Sequence, residues 1–373
     1  MMQKDFGRDL MTLIRRAGLL GATFAMAWLA GCGGSSSGGG SGSARNAYVA
    51  VPQGSAIAAF RVNSSGDLTR VLGSPFPGGT SPAAIAVHPS GKFVYTANQG
   101  GNDFSMFTVN NNTGELSEVM PRTPAGLNPS SLVMDSGGDL MFVANKTSNT
   151  ISVYSVSSSD GSLSEVAGSP FLTGARPVAL ALAPSGKFLY VASGNLPLVF
   201  GYSVAAGTGS LLAVPNSPFS VGNGPSSLVV DPSETFLYVT NFSDNTVSGL
   251  KIDSTSGALT AALNSPFAAG TGPISVTASA KALYVTNLGS GNVSVYSFDS
   301  TTGATTQLDK SPFSAGTGPV SATIDPAGTF LYVCNQTSKN ITRFTINPDG
   351  GGLPGSTVAA TINSAPAAIV FAK

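Results

Sequence analysis

Phe236-Leu-Tyr-Val-Thr-Asn241 decides the fold, because versions of it recur along the chain. The others are Tyr48-Val-Ala-Val51, Phe93-Val-Tyr-Thr-Ala-Asn98, Met141-Phe-Val-Ala-Asn145, Phe188-Leu-Tyr-Val-Ala-Ser193, Ala282-Leu-Tyr-Val-Thr-Asn287 and Phe330-Leu-Tyr-Val-Cys-Asn335. These seven copies end at 51, 98, 145, 193, 241, 287 and 335, so successive ends differ by 47, 47, 48, 48, 46 and 48. A strand-forming unit repeated at this period predicts propeller blades, in which each sheet buries its faces only by stacking on its neighbours.

Working outward from the repeated strand, each unit holds four β-rich stretches, here lettered a to d, with the quoted strand as b. In the second unit they are Ala83 to His88, Phe93 to Asn98, Phe104 to Val109 and Glu115 to Met120. Pro89-Ser90-Gly91, Pro184-Ser185-Gly186 and Pro326-Ala327-Gly328 join a to b, and glycine recurs in the c-to-d turns, where a tight turn needs positive φ. Ser-Pro-Phe begins at Ser74, Ser169, Ser217, Ser265 and Ser311. It reads as the link from d to the next a, with the phenylalanine wedged between blades. The first unit lacks strand a, and Ala365-Pro366-Ala367-Ala368-Ile369-Val370-Phe371 matches Ser81 to Val87. The expected fold is therefore an all-β, seven-bladed β-propeller of four antiparallel strands per blade, closed by the C-terminal strand in blade 1.

Composition agrees. Charged residues are 10% of 373, Gly is 46 and hydrophobics are 42%, which suits strands and turns rather than exposed helices. From Ala44 onward 14 Lys and Arg face 16 Asp and Glu, with no basic stripe. Nucleic acid is thereby excluded as a partner, and a monomer is expected.

Residues 1–31 read as an export signal: Lys4, Arg8, Arg15 and Arg16 precede the apolar run Ala17 to Ala30, too short for a comfortable membrane span. Asp5 and Asp9 are unusual in such a basic region and leave Met11 open as the true start. Ile14 before Arg15-Arg16 and Ala17-Gly18 after it fit the twin-arginine pattern poorly, so general secretion is preferred. The run ends Leu29-Ala30-Gly31-Cys32, which resembles a bacterial lipobox, so Cys32 is the expected lipidation site and new N-terminus. Gly33 to Ser43 are all Gly or Ser, the composition of a tether reaching about 18 Å root-mean-square. The organisation is thus a signal over 1–31, a lipidated tether over 32–43 and a propeller over 44–373. The expected location is the cell envelope; Gly33 in place of Asp after the cysteine resembles outer-membrane sorting, facing periplasm or surface. With Cys32 acylated, Cys334 is the one thiol left, so no internal disulfide forms.

Phe236 to Asn241, Ser-Pro-Phe-x-x-Gly-x-x-Pro and Pro89-Ser-Gly-Lys-Phe93 closely resemble the bacterial lactonase-type propellers with Tyr-Val-Thr-Asn repeats, over Ala47 to Lys373. The resemblance implies a family that includes 6-phosphogluconolactonase and the fungal muconate-lactonising enzyme. It also implies histidine, arginine and glutamate near the channel mouth, and here no histidine or glutamate maps there. The motif is specific for fold and weak for activity.

In a propeller the b-to-c and d-to-a loops share one face. Asn98, Asn145, Asn241, Asn287 and Asn335 recur there; a ligand-binding ring of amides is one reading of them, and turn chemistry is the stronger one. Of the residues preceding the proline of strand a, Arg176 alone is charged. It can clamp a carboxylate or phosphate, with Lys146 and Asp244 in the loops of blades 3 and 5; a solvated rim pair is the plainer account. His88, the one histidine, falls in an a-to-b turn where Asp135, Ala183, Asp231 and Asp325 stand in other blades. It is read as a turn residue. Gly34 to Gly38 matches a nucleophile-elbow pattern only by its composition. Zinc lacks ligands. No cofactor is expected, and Ca²⁺ on carbonyls, Asn and Asp103 or Asp244 stays open.

Two functions follow. One is a binding module that holds an envelope protein, a glycan or a small lactone. The other is a lactone hydrolase in which Arg176 holds the anionic group while Asp244 or Asp103 activates water.

Overall fold

The computed structural model describes residues 45–372 apart from 175; the expected signal, Cys32 and its tether lie outside the described residues. The described chain forms seven antiparallel sheets, each running a, b, c, d from the axis outward. Blade 5 is typical: a is Pro225–Val230, b is Phe236–Asn241, c is Thr246–Ile252, and d is Leu259–Ala261 with Phe267–Ala268. The b strand is buried along its whole length, because both of its faces are covered by neighbouring blades. Hence it reads as a continuous apolar run rather than an alternating one. The a strands of adjacent blades touch one another around the axis.

The ring closes as expected from the two ends of the chain. Ala368–Phe371 pairs antiparallel with Arg45–Val51, with Ala50 opposite Ala368 and Ala47 opposite Phe371. Tyr332 of blade 7 lies 4.9 Å from Phe371 between ring centroids. Two of the three ion pairs among the described residues, Arg45–Asp325 and Arg343–Asp67, cross this same seam between blades 7 and 1.

In four blades the tyrosine of the repeated strand ties one blade to the next. Its hydroxyl donates to the carbonyl of the c-to-d turn glycine in the next blade: Tyr48 to Gly114, Tyr95 to Gly161, Tyr190 to Gly257 and Tyr332 to Gly66, at 3.3, 2.7, 2.9 and 2.6 Å. Those turns run so close to the neighbouring blade that a Cβ on Gly257 would lie 2.4 Å from the Phe188 ring, at a φ of +74°. Glycine is needed there for space as well as for backbone conformation.

One expectation is corrected. Ser-Pro-Phe does not link d to the next a; it lies inside d, which it divides, as in Leu259–Ala261 and Phe267–Ala268. Proline has no N–H for a ladder and is tolerated because d is the outer edge strand. Where the d ladder is interrupted the serine supplies an acceptor: strand c amides of Ala59, Val153, Gly201, Gly249 and Val295 donate to the hydroxyls of Ser74, Ser169, Ser217, Ser265 and Ser311 at 2.8 to 3.0 Å. The wedge holds at Phe267, whose ring lies 5.0 Å from Tyr296 of the next blade. Strand d of blade 2, Leu116–Pro124, has Met120-Pro121 in this place, and that of blade 7, Ser356–Thr361, has no proline.

Candidate functional site: the channel mouth

Backbone hydrogen bonds set the innermost ring of the mouth. In six blades the residue after strand b donates its N–H to the carbonyl of the residue before the proline of strand a: Gln99 to Ser81, Lys146 to Asn128, Gly194 to Arg176, Phe242 to Gly224, Leu288 to Gly272 and Gln336 to Gly318. Side chains at these two positions therefore stand where the innermost strands begin. Lys146 and Arg176 stand here in adjacent blades, whose innermost strands are tied at their starts by the Ser130 hydroxyl donating to the Pro177 carbonyl at 3.2 Å. Burial first, and the Arg176 charge second, push the Lys146 ammonium down to about 8. Lys146 is half-buried and Arg176 exposed. No described acidic side chain forms an ion pair with either.

Around this cationic sector the ring is amide on one side and apolar on the other. The Gln99 side chain donates to Asn128 Oδ1 at 2.7 Å, while Phe242 and Leu288 are half-buried in blades 5 and 6. Phe242 covers Gly272, where a Cβ would meet its ring at 3.0 Å. Gln99, Phe242 and Leu288 escape sequence reasoning that follows charge and polarity; their signal is only their place one residue past the repeated strand.

The five asparagines are not at the mouth surface. Asn98, Asn145, Asn241, Asn287 and Asn335 are all 0% exposed. Each uses Nδ2 to hold the b–c hairpin, bonding the residues five and seven positions on. Asn287, for example, donates to Asn292 Oδ1 at 2.8 Å and Ser294 Oγ at 2.9 Å. A glycine from the loop entering the blade seals each amide: a Cβ on Gly79, Gly126, Gly222, Gly270 or Gly316 would collide with the asparagine below. In blade 1, where Val51 ends the b strand, Asn363 stands in the glycine's place three residues before proline. These amides are hairpin brackets, in keeping with the turn chemistry rather than with a ring of ligand-binding amides: a ligand cannot reach a sealed group without displacing the loop.

Neither carboxylate is poised as a base. Asp103 Oδ1 accepts from Asn98 Nδ2 at 2.6 Å, the bracket position held elsewhere by Thr150, Thr246, Asn292 and Asn340. Asp244 accepts from the Asn223 amide at 2.7 Å and from its side chain at 3.1 Å. Ser148, Ser290 and Ser338 do the same backbone job in their blades. The Asn223 hydrogen bonds hold the Asp244 carboxyl below the usual carboxylate range, the wrong direction for a proton acceptor near neutrality. The two aspartates sit in blades 2 and 5 and do not converge. Among the described residues no three His, Cys, Asp or Glu gather to hold a metal.

His88 lies at the opposite face, 6% exposed, with Nδ1 bonded to Ser90 Oγ at 2.8 Å. Cys334 is free and buried.

The family described as "Lactonase, 7-bladed beta-propeller" matches residues 41–179 and 173–371. The chain belongs to this family. Among solved structures, that of a Bacteroides fragilis protein carrying the name 6-phosphogluconolactonase is 21% identical. It covers 89% of this chain and 99% of its own, with a TM-score of 0.76. The periplasmic gluconolactonase of Pseudomonas aeruginosa is 19% identical, with coverage of 88% and 99% and a TM-score of 0.74. At these identities the likeness is one of fold. No curated protein matches.

Proposed function

We propose that this lactonase-family propeller is an envelope-anchored lipoprotein whose channel mouth binds a small organic anion, a carboxylate above all, through Lys146 and Arg176. One observation carries the reading: the innermost positions of two adjacent blades carry cations, Lys146 and Arg176, with no acidic partner among the described residues. A guanidinium suits a carboxylate's two oxygens, and a half-buried ammonium beside it gains from any counter-charge that arrives. Strand b of blade 1 begins at Arg45 on the face of the a-to-b turns, where Arg45 meets Asp325. A tether from Cys32 therefore joins the propeller on the face opposite the mouth.

Calorimetric titration of the full-length protein with gluconate tests the reading. Binding that weakens about tenfold in Arg176→Ala supports it; equal affinity in the variant refutes it. Release of Cys32→Ser from the membrane fraction is the outcome expected of the anchor.

A second reading, lactone hydrolysis at the same mouth, is favoured by the family and by the likeness to a periplasmic gluconolactonase. An unphosphorylated lactone is the substrate that suits an exported protein.

A further inference from the structure

We propose that the Nζ of Lys146, rather than a carboxylate or a histidine, is the proton acceptor for lactone hydrolysis at this mouth. The inference rests on the hydrolytic reading above and names the residue that the family resemblance leaves unfilled.

The titratable side chains of the described structure narrow to one. His88 is at the far face, and the Cys334 thiol is fully enclosed. Asp103 is a hairpin bracket and Asp244 a loop cap. Glu118 and Glu165 are on outer strands, Glu115 is in a c-to-d turn, and Glu234 is in an a-to-b turn where it accepts from the Ser185 hydroxyl at 2.7 Å. Lys339 occupies the outer corner of its hairpin, at a φ of 54°. On the innermost ring Lys146 is the one side chain besides Arg176 that can carry a charge, and it is half-buried and without an acid to hold its proton. The one charge that bears on it is Arg176, from the loop leading into blade 4, and it acts with burial to favour the neutral amine.

The chemistry balances without a further reactant. Neutral Lys146 takes a proton from a water whose oxygen bonds to the lactone carbonyl carbon, while the carbonyl π pair moves onto oxygen beside Arg176. That pair returns as the ring C–O bond breaks, and the ring oxygen leaves with the proton that Lys146 gives back. The product is the open hydroxy acid; its carboxyl proton passes to the neutral Lys146, the carboxylate so formed faces Arg176 and the ammonium, and loss of that proton to solvent on product release restores the neutral amine.

The test must separate a base from a mere cation, which Lys146→Arg does by keeping the charge and removing the neutral form. Initial rates are measured above the uncatalysed background for the full-length protein on unphosphorylated lactones, beginning with gluconolactone. In the wild type kcat is expected to rise with pH and level off above an inflection near pH 8. In Lys146→Arg and Lys146→Gln kcat falls about a hundredfold, while KM for the arginine variant changes about threefold or less. Independently of turnover, acetic anhydride at pH 8 should acetylate Lys146 about tenfold faster than the exposed lysines, read by peptide mass spectrometry. Undiminished kcat in Lys146→Arg, or labelling no faster than at exposed lysines, overturns the assignment and leaves the hydrolytic reading standing. Absence of any wild-type hydrolysis overturns both.

Discussion

Replacing Asn287 by alanine would strip Asn292 and Ser294 of their shared donor and open a gap beneath Gly270. A buried acceptor such as Ser294 left unsatisfied costs about 1–3 kcal/mol, so the unfolding midpoint should drop while gluconate affinity at the mouth is unchanged; a loss of affinity at constant stability would restore the amide-ring reading. His88 gives a pH signature. Its buried ring is held below the ordinary 6.5 mainly by desolvation, against the Gly138 carbonyl, Asp139 and Asp135, which act to raise it, while Lys92 lowers it. The unfolded chain therefore takes up this proton first. The stability from a neutral His88 is whole above pH 6.5 and is lost as the pH falls through the lower folded-state value. Thermal melts from pH 7.5 downward should show a decline that starts near 6.5 in the wild type and is flattened in His88→Asn. At this scale the sequence was informative about His88, whose turn position is plain from the other blades. It was ambiguous about asparagine, because a bracket and a ligand amide are the same residue in the same loop, and only burial tells them apart.

The blade is held to its neighbours by a tyrosine hydroxyl, and the chain contains its own control. Tyr190 donates to Gly257 at 2.9 Å, whereas the Tyr238 hydroxyl is equally buried with no partner. Tyr190→Phe should cost about 1 kcal/mol, and Tyr238→Phe should be neutral or stabilising, since it removes an unsatisfied group; guanidinium midpoints of the two variants, if equal, would dismiss the hydroxyl as the tie. Strand b was legible because its run of buried positions is continuous. Strand d was not: Ser-Pro-Phe looks like a linker by composition, yet the Ser265 hydroxyl stands in for a carbonyl opposite Gly249. A side chain that imitates the backbone leaves no periodic trace in sequence.

Closure joins the first and last described strands in one sheet, so the molecule has no independent end to spare. Deleting residues 366–373 removes the strand opposite Ala47 to Ala50 and the Phe371 ring on Tyr332. It should unfold or polymerise the protein through the exposed edge; a monomeric variant with an unaltered melting curve would show that the seam's Arg45–Asp325 and Arg343–Asp67 pairs suffice alone. The sequence by itself determined the blade count, the direction of closure and which loops share a face. Each of these is written in a repeat: a period near 48 residues, a missing strand at one end and a spare one at the other, and loops recurring at fixed offsets. It also determined that no histidine serves the mouth. What only the tertiary structure decided is which polar loop residues remain available there. Asn98, Asn145, Asn241, Asn287, Asn335, Asp103 and Asp244 are each committed to a hairpin or a neighbouring loop, while Lys146 and Arg176, 30 positions apart in sequence, stand in adjacent blades without a counter-charge. The physical reason is that hydrogen-bond satisfaction and the proximity of like charges are properties of packed neighbours, and those neighbours come from adjacent blades rather than from adjacent residues.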